Sequence, residues 1–191
     1  MKGRGHMKTY ICLLRGVNVG GKNRLSMTEL KSVMEDAGCC DVKTYINSGN
    51  IIFRSSEEKL QEFCQDLIRK QFGLEIACQI ISAEEVFAMA EQAPGWFNKT
   101  SDSKHNAIFS IAPWKAQDII KRMPDIKSDI EQLVAVEHVL FWTCPKKDFS
   151  KTTYGKLAAK ADVYAMTTVR NGNTFFKLVS LARDYEERFG S

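Results

Sequence analysis

The chain has 191 residues, 44% hydrophobic and 26% charged, an ordinary globular composition long enough to bury one or two cores without metal or disulfide staples. Its net charge is +4. That value falls to +2 once Lys2 and Arg4 are set aside with residues 1–6, MKGRGH, a polar run that reads as a vector-derived leader before a native start at Met7. So small a balance does not by itself imply nucleic acid, and no apolar run approaches the ~18 residues of a membrane span. The charge is uneven, with 10 basic and 12 acidic residues over 7–95 against 15 and 11 over 96–191, so anions are favoured on the C-terminal side. Six cysteines occur without a C-x-x-C pair or a secretory signal, and they read as reduced core thiols of a soluble cytoplasmic protein rather than as disulfides or metal ligands.

The first element is a buried strand, KTYICLLRG (8–16), closed by glycine. Ser26 and Glu29 form a capping box for a helix whose Met27, Leu30, Val33, Met34 and Ala37 share one face and whose stop is Gly38. DVKTYINSGNIIFRS follows as two strands about turn residues 47–50. A second box, Ser55 with Glu58, introduces a helix striped by Leu60, Phe63, Cys64, Leu67, Ile68 and Phe72, and LEIACQIIS (74–82) is a strand. A third box, Ser82 with Glu85, opens a helix ending at Pro94, and the polar run 94–105 is expected to be an exposed loop.

Beyond it the order recurs: strand NAIFSIAP, helix WKAQDIIKRM, strands LVAVEHV and VLFWTC, helix TYGKLAAKA, strand YAMTTVR and a final helix from Thr174. The expected fold is therefore α+β, two ferredoxin-like βαββαβ subdomains over 7–82 and 106–191, the second with the final helix, joined by a linking helix and loop over 83–105.

LLRGVNVGGKN (13–23) comes close to the phosphate loop G-x-x-x-x-G-K-[ST], but Asn23 stands where a metal-binding hydroxyl belongs, and the capping box starts the helix four residues after Lys22. Two readings remain for the loop. Its glycines serve tight turns while Asn18 and Asn23 bond backbone, or Arg15 and Lys22 flank a donor-rich loop that suits a small anion.

LLRGVNVGGKNRLSMTEL, TYINSGNIIF and TTVRNGNTFFKL together resemble the three signatures of a bacterial family called domain of unknown function 1697, over Met7 to Leu181. The resemblance implies two ferredoxin-like subdomains and no assigned activity, substrate or cofactor. It points to Arg15, Gly16, Asn18, Gly20 and Gly21, to Ser48, Gly49 and Asn50, and to Thr168, Arg170, Asn171 and Thr174. Gly172 departs from the pattern, standing where the family usually has an aromatic residue, which puts base stacking there in doubt.

Elsewhere, His138 lies within an apolar strand run and His105 ends the polar loop, so neither stands out as a catalytic base. Segment 145–156 interleaves Lys146, Lys147, Lys151 and Lys156 with Phe149 and Tyr154, either a solvated loop or a phosphate grip with stacking rings. Three functions stay open: a module holding an anionic ligand (nucleotide, phosphate or nucleic-acid backbone) in a cleft lined by Arg15, Lys22 and Arg170; an enzyme using the same groups electrostatically; or an interaction protein whose motif residues are structural. No metal, cofactor or membrane is expected, and the oligomeric state is not legible.

Overall fold

A computed structural model describes residues 6–21, 23–157 and 161–190. The chain divides into two compact units, Met1–Phe87 with Leu178–Ser191, and Ala88–Lys177. It is mixed α+β, with two four-stranded antiparallel sheets. The final helix, which the sequence reading assigns wholly to the second subdomain, contributes residues to both units.

In the first unit the order is β1 (Lys8–Leu14), α1 (Met27–Asp36), β2 (Cys40–Tyr45), β3 (Asn50–Ser55), α2 (Leu60–Phe72), β4 (Cys78–Ser82) and α3 (Ala83–Glu91). The sheet runs β2-β3-β1-β4. As the inner strand between β3 and β4, β1 buries Ile11, Cys12, Leu13 and Leu14 on both faces, which is why its sequence is continuously apolar rather than alternating. The stripes of α1 and α2 pack Met27, Leu30, Met34, Leu60, Cys64 and Ile68 against Cys12, Leu14, Ile51, Phe53 and Cys78 of the sheet.

Of the three capping boxes, the one at Ser82 forms completely, Ser82 N–H donating to Glu85 and Glu85 N–H to Ser82 Oγ. At Ser26 only the Glu29 N–H to Ser26 Oγ half is made. The box at Ser55 is absent, because Ser55 is still paired with Lys8 in β3; its Oγ accepts the Glu57 N–H, and α2 starts at Leu60 without a side-chain cap. The strand expected from 74 begins only at Cys78.

The second unit contains β5 (Ser103–Ser110), α4 (Ala116–Ile120), β6 (Gln132–Val136), β7 (Val139–Pro145), a 3-10 turn (Lys146–Lys151), α5 (Thr153–Leu157), α6 (Ala161–Ala165), β8 (Thr167–Asn171) and the start of α7 (Gly172–Phe189). Its sheet runs β6-β7-β5-β8. Several expectations are corrected. Helix 114–123 shrinks to five residues, and the helix expected over 153–161 is α5, with 158–160 outside the described residues. Tyr164 and Ala165 close α6, so the following strand starts at Thr167. His138 sits in the β6–β7 turn, not in a strand, and its carbonyl accepts from Ser110 N–H at 2.8 Å.

The run 94–105 is not a free loop. Phe97 is 1% exposed, its ring 4.7 Å from Phe141 and 5.9 Å from Phe175, and Ser103–His105 already belong to β5. Here one aromatic burial outweighs ten polar or turn-forming neighbours, since a buried Phe contributes about 1.5–3 kcal/mol. Among the described residues no helix is long and apolar enough to cross a membrane.

Candidate functional site

The first two signature segments meet in the first unit. Asn18 Nδ2 donates to Leu25 O at 2.8 Å and to Asn47 O at 2.9 Å, and its Oδ1 accepts the Leu25 N–H at 2.9 Å. Asn23 Nδ2 donates to Gly16 O, and the Asn18 N–H donates to Asn23 O. Asn50, fully buried, donates to Tyr45 O and to Ser48 Oγ. Gly49 has φ +81°, and a Cβ there would stand 2.6 Å from Val17 Cγ2 and 2.7 Å from Leu14 Cβ. These amides and glycines hold two turns together. Arg15 is half-buried with its N–H on Ala77 O, and Lys22 lies outside the described residues. Beside them lies a shallow hollow of about 550 Å³ whose lining includes Asn18, Arg24, Ser26, Thr28 and Asn47.

The third segment lies in the second unit. Arg170 is 6% exposed, and its guanidinium donates to Thr168 Oγ1 at 2.9 Å and Val169 O at 2.8 Å. Thr168 and Thr174 are buried. Asn171 Oδ1 accepts the Thr174 N–H at 2.8 Å and so caps α7, as asparagine at this position does well.

Next to this cap opens a hollow of about 620 Å³. It gathers residues from three stretches: 98–106 (Asn98, Lys99, Thr100, Ser101, Ser103, Lys104, His105, Asn106), the pair Lys146 and Phe149, and 171–173. Among the described residues three lysines line it and no carboxylate does, which is a favourable field for an anion. The Lys104 ammonium rests 3.6 Å from the Phe149 ring centroid. His105, expected to be exposed, is 8% exposed; its Nε2 is within 3.1 Å of Thr100 O, and Nδ1 has no hydrogen-bond partner among the described residues. Burial pushes its pKa below the ordinary histidine value, against the opposing bond to Thr100, so the ring is neutral near neutral pH.

A family model described as a protein of unknown function, DUF1697, matches residues 7–141. The chain belongs to the DUF1697 family. Among solved structures, this DUF1697 member is similar to the conserved bacterial protein SP0830 from Streptococcus pneumoniae, with a TM-score of 0.83 and 29% identity over 93% of this chain and 99% of that one. No curated protein matches. The family match includes both first-unit segments and the 98–106 wall, and ends before Lys146 and the 168–174 segment.

The departure at Gly172 has a structural counterpart in this DUF1697 chain. A Cβ at 172 would meet Asn98 Oδ1 at 2.5 Å, so glycine lets Asn98 close over the start of α7 and donate to Asn173 Oδ1 at 3.0 Å. Of the basic segment, Lys146 and Phe149 reach the hollow, whereas Tyr154 is buried with its ring 4.8 Å from Trp142, and Lys156 is exposed on α5. Sequence reasoning passed over Lys99, Lys104, Asn98 and Asn106. The usable signal was Lys99 and Lys104 in one polar run ahead of a strand.

It also passed over Glu131, a 2% exposed carboxylate that accepts from Lys127 N–H, Trp142 Nε1, Thr153 N–H and Tyr154 N–H. Burial alone would raise its pKa; those four donors outweigh burial and hold it below the ordinary glutamate value. Fully satisfied in this way, Glu131 is a structural hub that ties the β6 approach to the start of α5.

Proposed function

We propose that the protein is a binding module for a phosphate-bearing anion, seated in the hollow of the second unit between Lys99, Lys104 and Lys146. Each unit is read as a ferredoxin-like βαββαβ subdomain, and six unpaired cysteines accord with a reducing, cytoplasmic setting. The observation that carries the reading is the lining of the hollow, which among the described residues has three lysines, several amides and hydroxyls, and no carboxylate. The backbone N–H groups at the start of the eighteen-residue α7 add a positive helix end on the same side. Lysine suits such a role as a mobile point charge. The first-unit segment is given a holding role, because Asn18, Asn23 and Asn50 are engaged with backbone, and Arg170 has its guanidinium on its own strand.

Thermal denaturation with pyrophosphate tests the proposal. At a hundredfold excess over the dissociation constant the ligand stabilises by about 2.7 kcal/mol, the shift fades with added salt, and it is lost in the Lys104→Ala/Lys146→Ala double variant but kept in Arg15→Ala. Absence of a pyrophosphate-induced shift at low salt overturns it.

A further inference from the structure

We infer that the anion held in this hollow is a mononucleotide, its phosphate among the lysines and its base on the other wall; the inference rests on the anion-binding reading above. A volume of about 620 Å³ is within the range of pockets that enclose whole small molecules, and a bare phosphate would leave most of it to water. What the remaining wall offers is specific. Asn106 and Asn171 stand directly opposite each other in the β5–β8 register, and both line the hollow. Asn171 Oδ1 is engaged by Thr174 N–H, which turns its amide NH2 to other use. The Asn106 side chain makes no hydrogen bond among the described residues, so a carbonyl and an NH2 remain side by side. A donor next to an acceptor is the complement of a base edge, as when an asparagine amide pairs with N6 and N7 of adenine.

Phe149 supplies the face. Its ring is half-buried in the wall and is covered by the Lys104 ammonium at 3.6 Å. A ligand carrying both charge and an aromatic base answers both groups at once. Lys104 swings on its flexible stem to the phosphate, and the ring face it leaves is taken by the base. Stacking of a base on a protein aromatic side chain, together with one amide pair, discriminates by about tenfold or more in affinity.

Calorimetric titration of the whole chain with AMP, ribose 5-phosphate and pyrophosphate tests this. The expected result is AMP binding at least about tenfold tighter than ribose 5-phosphate, with Asn106→Ala and Phe149→Leu each cutting that margin to below about threefold. Unchanged melting temperatures of the two variants establish that the fold is intact. Equal affinity for AMP and ribose 5-phosphate overturns the nucleotide assignment and leaves the anion site standing, whereas failure of all three compounds to bind removes both. Binding of an oligoadenylate without binding of AMP also overturns it, in favour of a nucleic-acid strand.

Discussion

In the first unit the side-chain amide of Asn18 makes three hydrogen bonds to backbone and that of Asn50 donates to Tyr45 O and Ser48 Oγ, whereas in the second unit the side chain of Asn106, within β5, makes none among the described residues. The glycines divide in the same way. Gly49 admits Val17 and Leu14 against its backbone and so closes a turn, while Gly172 admits Asn98 at the rim of an open hollow. Polar residues in strands and their flanking turns thus serve two ends: saturated by backbone they are mortar, and left unsaturated beside lysines they are equipment. Which of the two a given asparagine becomes depends on where its acceptors lie, and residue type alone does not decide it.

The sharpest way to break this contrast is Glu131, which shows that the second unit also saturates polar groups away from the hollow. Glu131→Ala leaves three buried N–H donors and the part-buried Lys127 N–H unpaired, and is expected to cost at least about 3 kcal/mol in chemical denaturation. Its pKa is lowered by folding, so its stabilisation is present above the ordinary glutamate range and lost as pH falls through the folded value. The wild type should therefore lose stability between about pH 5 and pH 3 more steeply than Glu131→Gln. A parallel pH slope in the two proteins contradicts the assignment.

Next in size comes the first-unit turn. Gly49→Ala combines a φ of +81° with two close approaches and should cost about 2 kcal/mol or more, and Asn18→Ala about 2 kcal/mol, both read from urea midpoints. Neither should alter pyrophosphate affinity in the material that remains folded. The reverse pattern belongs to the hollow: Lys104→Ala and Lys146→Ala each change stability by less than about 0.5 kcal/mol but weaken pyrophosphate about tenfold. Smallest is Ile46, a half-exposed β-branched residue held at φ +50° in the same turn as Gly49. Ile46→Asn relieves that strain and should raise stability by about 0.5 kcal/mol. Loss of stability there would mean that the isoleucine side chain contributes packing.

Much of the first unit was legible before the structure. The faces of α1 and α2 follow from spacing, and the hairpin around 47–50 from its turn residues, because the forces that decide them are local. Phe97 and His105 were not legible, since each is buried by partners more than thirty residues away or by a strand whose start is masked by polar neighbours. The site was less legible still. Lys99, Lys104 and Lys146 are brought together by the pairing of β5 with β7, in which Lys104 faces Cys144 and Ser103 faces Pro145, and no window of sequence contains that register. The signature asparagines stood out for the opposite reason, since their concentration in short runs marks tight turns as readily as ligand loops.

The ring of Phe97 is seated against Phe141 and Phe175, and the residues that follow it, Lys99 to Ser101, form one wall of the hollow without entering the core. Anchorage and chemistry are thus divided between adjacent positions on the chain. Residues 99–101 act as an exchangeable cassette behind a fixed pin: recutting them changes what the wall offers to solvent while the hydrophobic lock that holds the wall upright stays as it is.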